Sequence, residues 1–301
     1  MKCNVIVYGL GGYFESVCKR GEKVEECYNI VGYCDRNDKY TDVYENYISP
    51  SELSERAYDF IIVTSIYYRE IVTDLVEKYK VDCTKILIWE DELRKKDYFN
   101  NYGAIYSFGQ AGEDYVIYSL LKEKGISPET ASYVEVGVDS PFENNHTYFL
   151  HLAGAKGLLV DANPESINFI KVIRKNQIVL NNVINDKKGK VPFYISDIPA
   201  LSSMDIENIR LNNGTVKEKI ELDSISMNDV LAMQDKTIVL SIDLEGYDKA
   251  ALKSIDLDVF QPEIICTEIG KPDNKLLDYM KNKGYMLAFC NYINSIWKRM
   301  D

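Results

Sequence analysis

Histidine, tryptophan and paired cysteines are scarce in this sequence of 301 residues. It contains two tryptophans and two histidines, His146 and His151. So few histidines exclude a histidine-rich metal centre. The seven cysteines include no C-x-x-C pair, and five of them lie within the first 83 residues. An odd number without paired spacing is typical of reduced thiols rather than of a disulfide framework. We therefore expect a cytoplasmic protein.

Basic charge and long apolar runs are also lacking. The sequence has 35 Lys and Arg against 47 Asp and Glu, a formal net charge of −12. Its basic clusters, RKK at 94–96 and DKKGK at 186–190, are short. Because nucleic-acid binding needs a clustered basic face, we expect no nucleic-acid partner. No apolar run reaches the roughly 18–20 residues that cross a bilayer, so we expect no membrane span.

Strand-like and helix-like segments alternate along the sequence in two series. Residues 1–90 contain four β-branched runs, namely NVIVYG, YNIVGYCD, YDFIIVTS and KILIW. From 91 to about 106 the periodicity is lost, which predicts a linker. A longer series of seven or eight strands with intervening helices comes next. This alternation predicts two α/β domains with parallel sheets, which we place at 1–96 and 97–301.

In the second series, YVEVGVDSP ends a predicted strand at a glycine. Gly137 allows the backbone to turn closely there, and Glu135 precedes it by two residues. Asp161, in GLLVDANP, ends the next strand, where an acid can accept hydrogen bonds from the two hydroxyls of a ribose. It can equally be the acid at the start of a helix. Since open α/β sheets bind ligands beyond the carboxyl ends of their strands, the loop at 137–146 is the predicted working site.

Two carboxylates, Asp243 and Glu245 in LSIDLEGYD, come directly after the buried-strand pattern TIVLSI. Alternation along a strand predicts that both side chains point to the same side, near the edge of the sheet. Neighbouring carboxylates are costly unless they bind something, such as a substrate hydroxyl, a divalent cation or a sulfonium group. The alternative is an acid pair at a helix start, which the helix dipole favours.

Six segments, in order, resemble FkbM-type S-adenosylmethionine-dependent methyltransferases. They are SFGQAGEDYVIYSLL, YVEVGVDSPFENNHTYF, GLLVDANPESINFI, LNNVINDKKG, DIPALSS and LSIDLEGYDKAALKSID. The resemblance implies an α/β fold: a seven-stranded Rossmann-like methyltransferase domain, preceded by a smaller doubly wound Rossmann-like domain. It also implies S-adenosylmethionine as cofactor and O-methylation of a sugar or another small hydroxylated acceptor, in surface polysaccharide or natural-product synthesis.

The resemblance also implies site residues. Those expected at the cofactor are Glu135, Gly137, Val138, Asp161, Ala162, Asn163, Asn181 and Gln110. Asp243 and Glu245 are expected on the acceptor side as catalytic acids, with or without a divalent cation such as magnesium. His146 stands beside Thr147 at a predicted helix start. It can take the proton of the acceptor hydroxyl, since its pKa suits neutral pH, or it can cap or pack the helix.

The first series carries its own glycine-rich turn, GLGGYF, with Gly9, Gly11 and Gly12. Phe14 stands where a dinucleotide motif has its third glycine, and Asp35 ends the second strand in the position of a ribose acid. The pattern is weak, because any parallel sheet can use such a turn, and it leaves nucleotide binding and docking open. Two other functions therefore remain: a non-catalytic binding protein with a methyltransferase fold, and a nucleotide-linked enzyme acting through the first domain. The chain can also form a homo-oligomer.

Overall fold

The computed structural model describes residues 2–21, 23–100 and 107–300, except for the side chains of 96–100. The chain divides into two compact units. The N-terminal unit comprises Met1–Tyr106 with Lys171–Lys175, and the C-terminal unit comprises Ser107–Ile170 with Asn176–Asp301. Within the described residues no helix combines the length and the apolar character needed to cross a membrane. The domain boundary expected between 96 and 97 stays a prediction.

The N-terminal unit is built on a five-stranded, wholly parallel sheet with the order β3-β2-β1-β4-β5. Its strands are β1 (Asn4–Tyr8), β2 (Asn29–Cys34), β3 (Tyr47–Ile48), β4 (Phe60–Val63) and β5 (Ile86–Ile88). Its helices are α1 (Gly12–Lys19), α2 (Val24–Cys27), α3 (Tyr68–Thr73, continued as a π-helix over Asp74–Lys78) and α4 (Trp89–Asn100). One face of β1 packs its valines against α1, where Phe14 and Val17 are buried.

Helix α4 replaces the first part of the expected linker. Three acids lie in its first turn, and ion pairs at i,i+4 spacing connect them to later residues: Arg94 lies 3.3 Å from Glu90, and Lys95 lies 2.7 Å from Asp91. Such pairs stabilise a helix without any apolar periodicity, which is why periodicity missed it. Residues 101–106, the rest of the expected linker, lie outside the described residues.

The C-terminal unit contains ten strands and seven α-helices among the described residues. The strands are β6 (Tyr133–Val136), β7 (Gly157–Asp161), β8 (Ile178–Asn181), β9 (Val183–Ile184), β10 (Lys190–Ser196), β11 (Val216–Ile225), β12 (Val239–Ile242), β13 (Ile264–Thr267), β14 (Tyr285–Cys290) and β15 (Ser295–Arg299). The helices are α5 (Glu113–Glu123), α6 (Tyr148–Leu152), α7 (Pro164–Ile173), α8 (Ile206–Leu211), α9 (Met227–Leu231), α10 (Asp248–Ser254) and α11 (Asn274–Asn282).

The main sheet of this unit has seven strands in the order β14-β15-β13-β12-β6-β7-β8. In this sheet β15 runs antiparallel to its neighbours β13 and β14, and the other pairs are parallel. A second sheet, β10-β11-β9, carries an antiparallel hairpin whose long connection contains α8. The seven-stranded Rossmann-like fold, preceded by a smaller parallel sheet, confirms the predicted fold class.

Alternation along the central strands separates an apolar face from a polar row. Val134, Leu240 and Ile242 belong to the apolar core that α10 and α11 cover. On the opposite face, Ser241 of β12 is in register with Glu135 of β6 on one side and with Cys266 of β13 on the other. The strand order reverses between β6 and β12, and the equivalent reversal in the N-terminal unit lies between β1 and β4. Ligands of open α/β sheets bind at such a switch point.

Candidate active site

Two loops meet at the switch point of the C-terminal unit. Gly137, directly after β6, has a φ of 77° and donates its N–H to the carbonyl of Val160 at 2.9 Å. A Cβ atom at this position would lie 1.5 Å from the carbonyl oxygen of Asp243, directly after β12. Only glycine fits both this conformation and this approach. The residue therefore brings the predicted cofactor loop against the loop that carries the predicted acids.

Asp161 holds the loop after Gly137. Its Oδ2 accepts the backbone N–H groups of Val138 at 2.9 Å and Asp139 at 2.8 Å, and its Oδ1 accepts that of Asn163 at 2.7 Å. Burial raises the pKa of Asp161 to about 6, and these N–H groups oppose the rise. A carboxylate has about four lone-pair sites, so acceptor capacity remains for a ligand hydroxyl.

The neighbours of Asp161 include a donor without a partner. Asn181 donates its side-chain amide to the carbonyls of Asp161 at 3.0 Å and Ala162 at 3.1 Å, which fixes the end of β7. The side-chain Nδ2 of Asn163 is buried and has no hydrogen-bond partner among the described residues. A buried donor of this kind is unfavourable unless a ligand accepts from it.

One exposed polar residue lies before α5, and two buried acids begin this helix. Gln110, expected at the cofactor, is exposed. Glu113 is buried and accepts the side-chain amides of Asn291 at 2.8 Å and Asn294 at 3.0 Å. Asp114 accepts the backbone N–H of Phe108 at 2.8 Å. The two acids therefore have structural partners, while Gln110 is the member of this segment that a ligand can reach.

Glu135, by contrast, lies beneath the loop. It is buried, and its carboxylate accepts the side-chain amide of Asn145 at 2.8 Å and the hydroxyl of Thr147 at 2.6 Å. Val138, at 5% exposure, is also buried, so only its backbone N–H takes part in the site as described. Through Asn145 and Thr147, Glu135 thus fixes the end of the loop at 137–146.

His146 lies between this loop and the polar row of the sheet. It is 4% exposed, and its Nδ1 lies 3.1 Å from the hydroxyl of Ser241 and 3.6 Å from the thiol of Cys266. Its Nε2 is buried without a hydrogen-bond partner among the described residues. The histidine packs on the middle of the sheet, and its catalytic role stays a prediction.

The acids after β12 are arranged differently from the expectation. The strand ends at Ile242, and Glu245 adopts a left-handed conformation with a φ of 46°, so strand alternation does not extend to the pair. Instead, carboxylate oxygens of Asp243, Asp248 and Glu268 lie within 4.8 Å of one another. We call these three residues the acid cluster. The prediction that alternation sets Asp243 and Glu245 side by side is therefore wrong.

Glu245 borders the acid cluster and is fixed through its backbone. Its carbonyl accepts the side-chain amide of Asn208 at 2.7 Å and the hydroxyl of Ser203 at 3.5 Å. Both donors belong to the long connection between β10 and β11. The side chain of Glu245 is thereby presented from a turn whose shape other parts of the unit determine.

Burial raises the pKa of Glu245 and of all three residues of the acid cluster. Burial and the carboxylate of Glu268 raise the pKa of Asp243 well above its usual range. Burial also raises the pKa of Glu268, while its hydrogen bond with Asp243 acts the other way. Burial raises the pKa of Glu245 to about 7 and that of Asp248 to about 6. These directions favour a proton held between Asp243 and Glu268.

Sequence reasoning missed Asp248 and Glu268. Asp248 is buried at the start of α10 and accepts the backbone N–H groups of Leu244 at 3.0 Å and Gly246 at 3.2 Å. Glu268 comes directly after β13, as Asp243 comes directly after β12. The signal that identified Asp243, an acid next to the end of a buried strand, is therefore also present in PEIICTEI.

Comparison with known proteins adds two family matches. The model of the methyltransferase FkbM domain matches residues 135–287, half of the chain, and the model of the C2185-like N-terminal domain matches residues 1–87. No curated protein matches the sequence.

Solved structures with some likeness to the chain include three methyltransferases. One is a methyltransferase from Geobacter sulfurreducens, at 8% identity, covering 69% of this chain and 96% of that one, with a TM-score of 0.32. Another is a TehB-like SAM-dependent methyltransferase from Corynebacterium glutamicum, at 12% identity, 70% and 98% coverage and a TM-score of 0.33. The third is phosphoethanolamine N-methyltransferase 1 from Haemonchus contortus, at 10% identity, 100% and 88% coverage and a TM-score of 0.31. At these TM-scores the likeness carries no argument of its own.

Proposed function

Because the chain belongs to the FkbM methyltransferase family, we propose that its C-terminal unit transfers the methyl group of S-adenosylmethionine to a hydroxyl oxygen of a small acceptor. The observation that carries this proposal is the approach of Gly137 to the carbonyl of Asp243. It brings the loop held by Asp161 and the loop that begins the acid cluster to one switch point, where a sheet of this kind binds its ligand.

The residues at the end of β7 fit this cofactor. When bound, S-adenosylmethionine would supply an electrophilic methyl group carried by a sulfonium. The sulfur would then be the leaving group, as a thioether. Asp161 retains acceptor capacity for a hydroxyl of its ribose, and the side-chain Nδ2 of Asn163, which has no partner among the described residues, offers a donor beside it. Gly137 and Val138 shape the loop around the cofactor, and Asn181 keeps the strand end in place.

The acid cluster and Glu245 provide the base. Methyl transfer needs the acceptor oxygen in line with the carbon–sulfur bond, and such positioning is worth up to roughly 7–11 kcal/mol. As the oxygen–carbon bond forms and the carbon–sulfur bond breaks, the electron pair stays on sulfur and the hydroxyl proton moves to a carboxylate. Glu245, whose burial raises its pKa to about 7, and the proton-sharing pair of Asp243 and Glu268 are suited to take it.

We propose a sugar or a similar polyhydroxylated molecule as acceptor, in surface polysaccharide or natural-product synthesis. Several carboxylates at one edge of the sheet can accept hydrogen bonds from adjacent hydroxyls, which suits a sugar better than an isolated alcohol. We place the reaction in the cytoplasm, and all seven cysteines being free supports a reducing compartment.

A divalent cation is the alternative way to relieve the repulsion within the acid cluster. Its three residues offer oxygen ligands, which magnesium prefers, but they would leave several positions for water or substrate oxygens. Activity that survives a chelator supports the shared proton, whereas activity that magnesium restores supports the cation.

The direct test is transfer of an isotopically labelled methyl group from S-adenosylmethionine to a panel of free sugars and sugar nucleotides, with the products analysed by mass spectrometry. We expect a product one methyl group heavier and labelled on oxygen. Labelling of a nitrogen or carbon atom, or no labelled product alongside tight cofactor binding, would contradict the proposed reaction.

A further inference from the structure

The N-terminal unit has a cavity of its own, of about 230 Å³, at the switch point between β1 and β4. Its walls include Gly9, Gly11, Asp35, Arg36 and Ser65. All of its lining residues belong to the N-terminal unit, and the proposed methyl transfer uses none of them. We propose that this cavity binds a nucleoside diphosphate.

One wall of the cavity suits the phosphates. Gly9 has a φ of 97°, and a Cβ atom there would lie 3.1 Å from the carbonyl oxygen of Thr64, so the loop after β1 lies directly against the end of β4. Helix α1 starts at Gly12, and no side chain caps its N-terminus at Gly11. The first N–H groups of a helix lack partners within it and attract anions. The glycine loop therefore leaves room and donors for a diphosphate.

The adjoining wall suits a ribose. Asp35 accepts the backbone N–H of Leu10 at 2.7 Å with Oδ2 and that of Asn37 at 2.9 Å with Oδ1. Since a carboxylate has about four lone-pair sites, roughly two remain for hydroxyl donors. An acid at the end of the second strand is the position from which ribose hydroxyls are bound in sheets of this kind.

A buried hydroxyl supplies evidence independent of the helix. Tyr8 lines the cavity at 1% exposure, and its hydroxyl has no hydrogen-bond partner among the described residues. The guanidinium of Arg36 lies near the hydroxyl and opposes the rise that burial causes in the pKa of Tyr8. A buried hydroxyl in this state is unfavourable. An oxygen atom of a bound ligand would satisfy it.

Size and charge narrow the ligand further. Cavities for small molecules usually measure about 300–1,000 Å³, so 230 Å³ accommodates a ribose and its phosphates but not a whole dinucleotide. The base then lies at the mouth, where the ring of Tyr67 is 64% exposed. Among the described lining residues, the cationic side chain of Arg36 is accompanied by the acids Asp35 and Glu70. Arg36 also forms ion pairs with Glu70 at 3.6 Å and with Asp74 at 3.2 Å. A bare phosphate is therefore disfavoured, and the ligand must offer hydroxyls to the acids as well as phosphates to the N–H groups of the glycine loop.

Calorimetry of the full chain with UDP and with ADP tests the proposal. The titrations are run with saturating S-adenosylhomocysteine, so that a nucleoside cannot bind in the C-terminal unit unnoticed. We expect one site per chain for at least one of the two nucleotides. If neither binds, or if S-adenosylhomocysteine abolishes the binding, the cavity is not a nucleotide site.

Gly11→Asp provides a variant that should fold and yet lose the ligand. The φ of Gly11 is −77° and a Cβ atom there meets only the hydroxyl of Tyr40, at 3.9 Å, so a side chain is sterically allowed. Aspartate is also a favoured residue at a helix N-cap. Its charge should repel the diphosphate and weaken binding at least about tenfold. Gly11→Asn, of the same size but neutral, should weaken it less, and equal affinity of Gly11→Asp and wild type would overturn the proposal.

Tyr8→Phe separates a ligand role from a structural one. Removing an unpartnered buried hydroxyl should leave the melting temperature unchanged or raise it, while nucleotide affinity should fall at least about threefold because the ligand loses a donor. Binding of S-adenosylhomocysteine should not change. Unchanged nucleotide affinity in this variant would contradict the assigned position of the ligand.

Discussion

The two units build their switch points from the same parts. Gly9 and Gly137 each come directly after the first strand, and each donates its N–H to a carbonyl near the end of the second strand, of Cys34 and Val160 respectively. Asp35 and Asp161, at the ends of those second strands, each accept backbone N–H groups of the glycine loop. The five strands of the N-terminal sheet and five adjacent strands of the C-terminal main sheet also have equivalent orders, β3-β2-β1-β4-β5 and β8-β7-β6-β12-β13.

The units differ in the length of the glycine loop and in the residues that face it. After Gly9, helix α1 begins within three residues, whereas ten residues separate Gly137 from the start of α6 at Tyr148. Facing the glycine, the N-terminal unit has hydroxyl residues, and the side chain of Thr64 donates to the carbonyl of Gly9 at 2.7 Å. The C-terminal unit has Asp243 and its acid cluster there. We propose that one arrangement of strands and loops serves an anion site in one unit and a proton acceptor in the other.

Substituting the glycine of each switch point should give the largest difference in stability between the two units. Gly137→Ala forces a Cβ to 1.5 Å from a backbone oxygen at a positive φ, and we expect it to destabilise the C-terminal unit by at least about 3 kcal/mol or prevent its folding. Gly9→Ala meets backbone at 3.1 Å and should cost roughly 1–2 kcal/mol. Gly12→Ala, with nothing within 4 Å, is the control and should be neutral or stabilising in urea unfolding. Equal losses for Gly9→Ala and Gly137→Ala would show that the two loops are packed alike.

Substituting Asp243 or Glu245 should give the next largest effect, on the rate of methyl transfer. Asp243→Asn or Glu245→Gln should lower methyl transfer about a hundredfold, the scale of a positioned base, and leave the affinity for S-adenosylhomocysteine nearly unchanged. Steady-state kinetics and calorimetry measure the two quantities. Asp35→Asn, in the N-terminal unit, is the matched control and should leave transfer intact. Loss of cofactor affinity in Asp243→Asn would place this acid on the sulfonium side of the site instead.

The acid cluster also predicts that the stability of the C-terminal unit depends on pH. A carboxyl group whose pKa is raised by folding holds a proton in the folded chain that the unfolded chain has lost, so stability falls as pH rises from about 4 through the raised values near 6 and 7. Asp243→Asn removes one such group. It should therefore raise the free energy of unfolding at pH 8 and change it little at pH 4. An equal effect at both pH values would argue against the shared proton.

A fragment beginning at Asp97 tests whether the C-terminal domain binds the cofactor without the N-terminal domain. We propose that it contains the whole methyltransferase domain, and we expect it to bind S-adenosylhomocysteine within about threefold of the full chain, because a threefold change is below 1 kcal/mol. Its circular dichroism and melting curve check that it is folded. A folded fragment that does not bind would show that residues 1–96 contribute to the site.

Much of the architecture could be predicted from local patterns. Apolar runs with helix-like segments between them identified the parallel sheet of the N-terminal unit and the parallel part of the main sheet of the C-terminal unit. Gly137 and Asp161 identified the loop at the switch point. These features depend on neighbours along the sequence. Helix α4 could not be identified in this way, since ion pairs such as that of Lys95 with Asp91 stabilise it without apolar periodicity.

The acid site needed information that is distant in sequence. Glu268 lies beside Asp243 only because β13 pairs with β12. Glu245 leaves the strand pattern because the chain turns with a positive φ there, a conformation set by its contacts with Asn208 and Ser203. The burial of His146 likewise depends on Ser241, which is 95 residues away along the chain. Strand pairing and loop packing, not local propensity, determine all three.

The cofactor affinity of variants at Asp161 and at its counterpart Asp35 tests the central claim most directly. Calorimetry with S-adenosylhomocysteine is run on the wild type, on Asp161→Ala and on Asp35→Ala, with melting curves to show that each variant is folded. The account predicts binding by the wild type, a loss of about 1–3 kcal/mol in Asp161→Ala, the scale of charge-assisted hydrogen bonds, and unchanged affinity in Asp35→Ala. No binding by the wild type, or a loss in Asp35→Ala as large as that in Asp161→Ala, would contradict it.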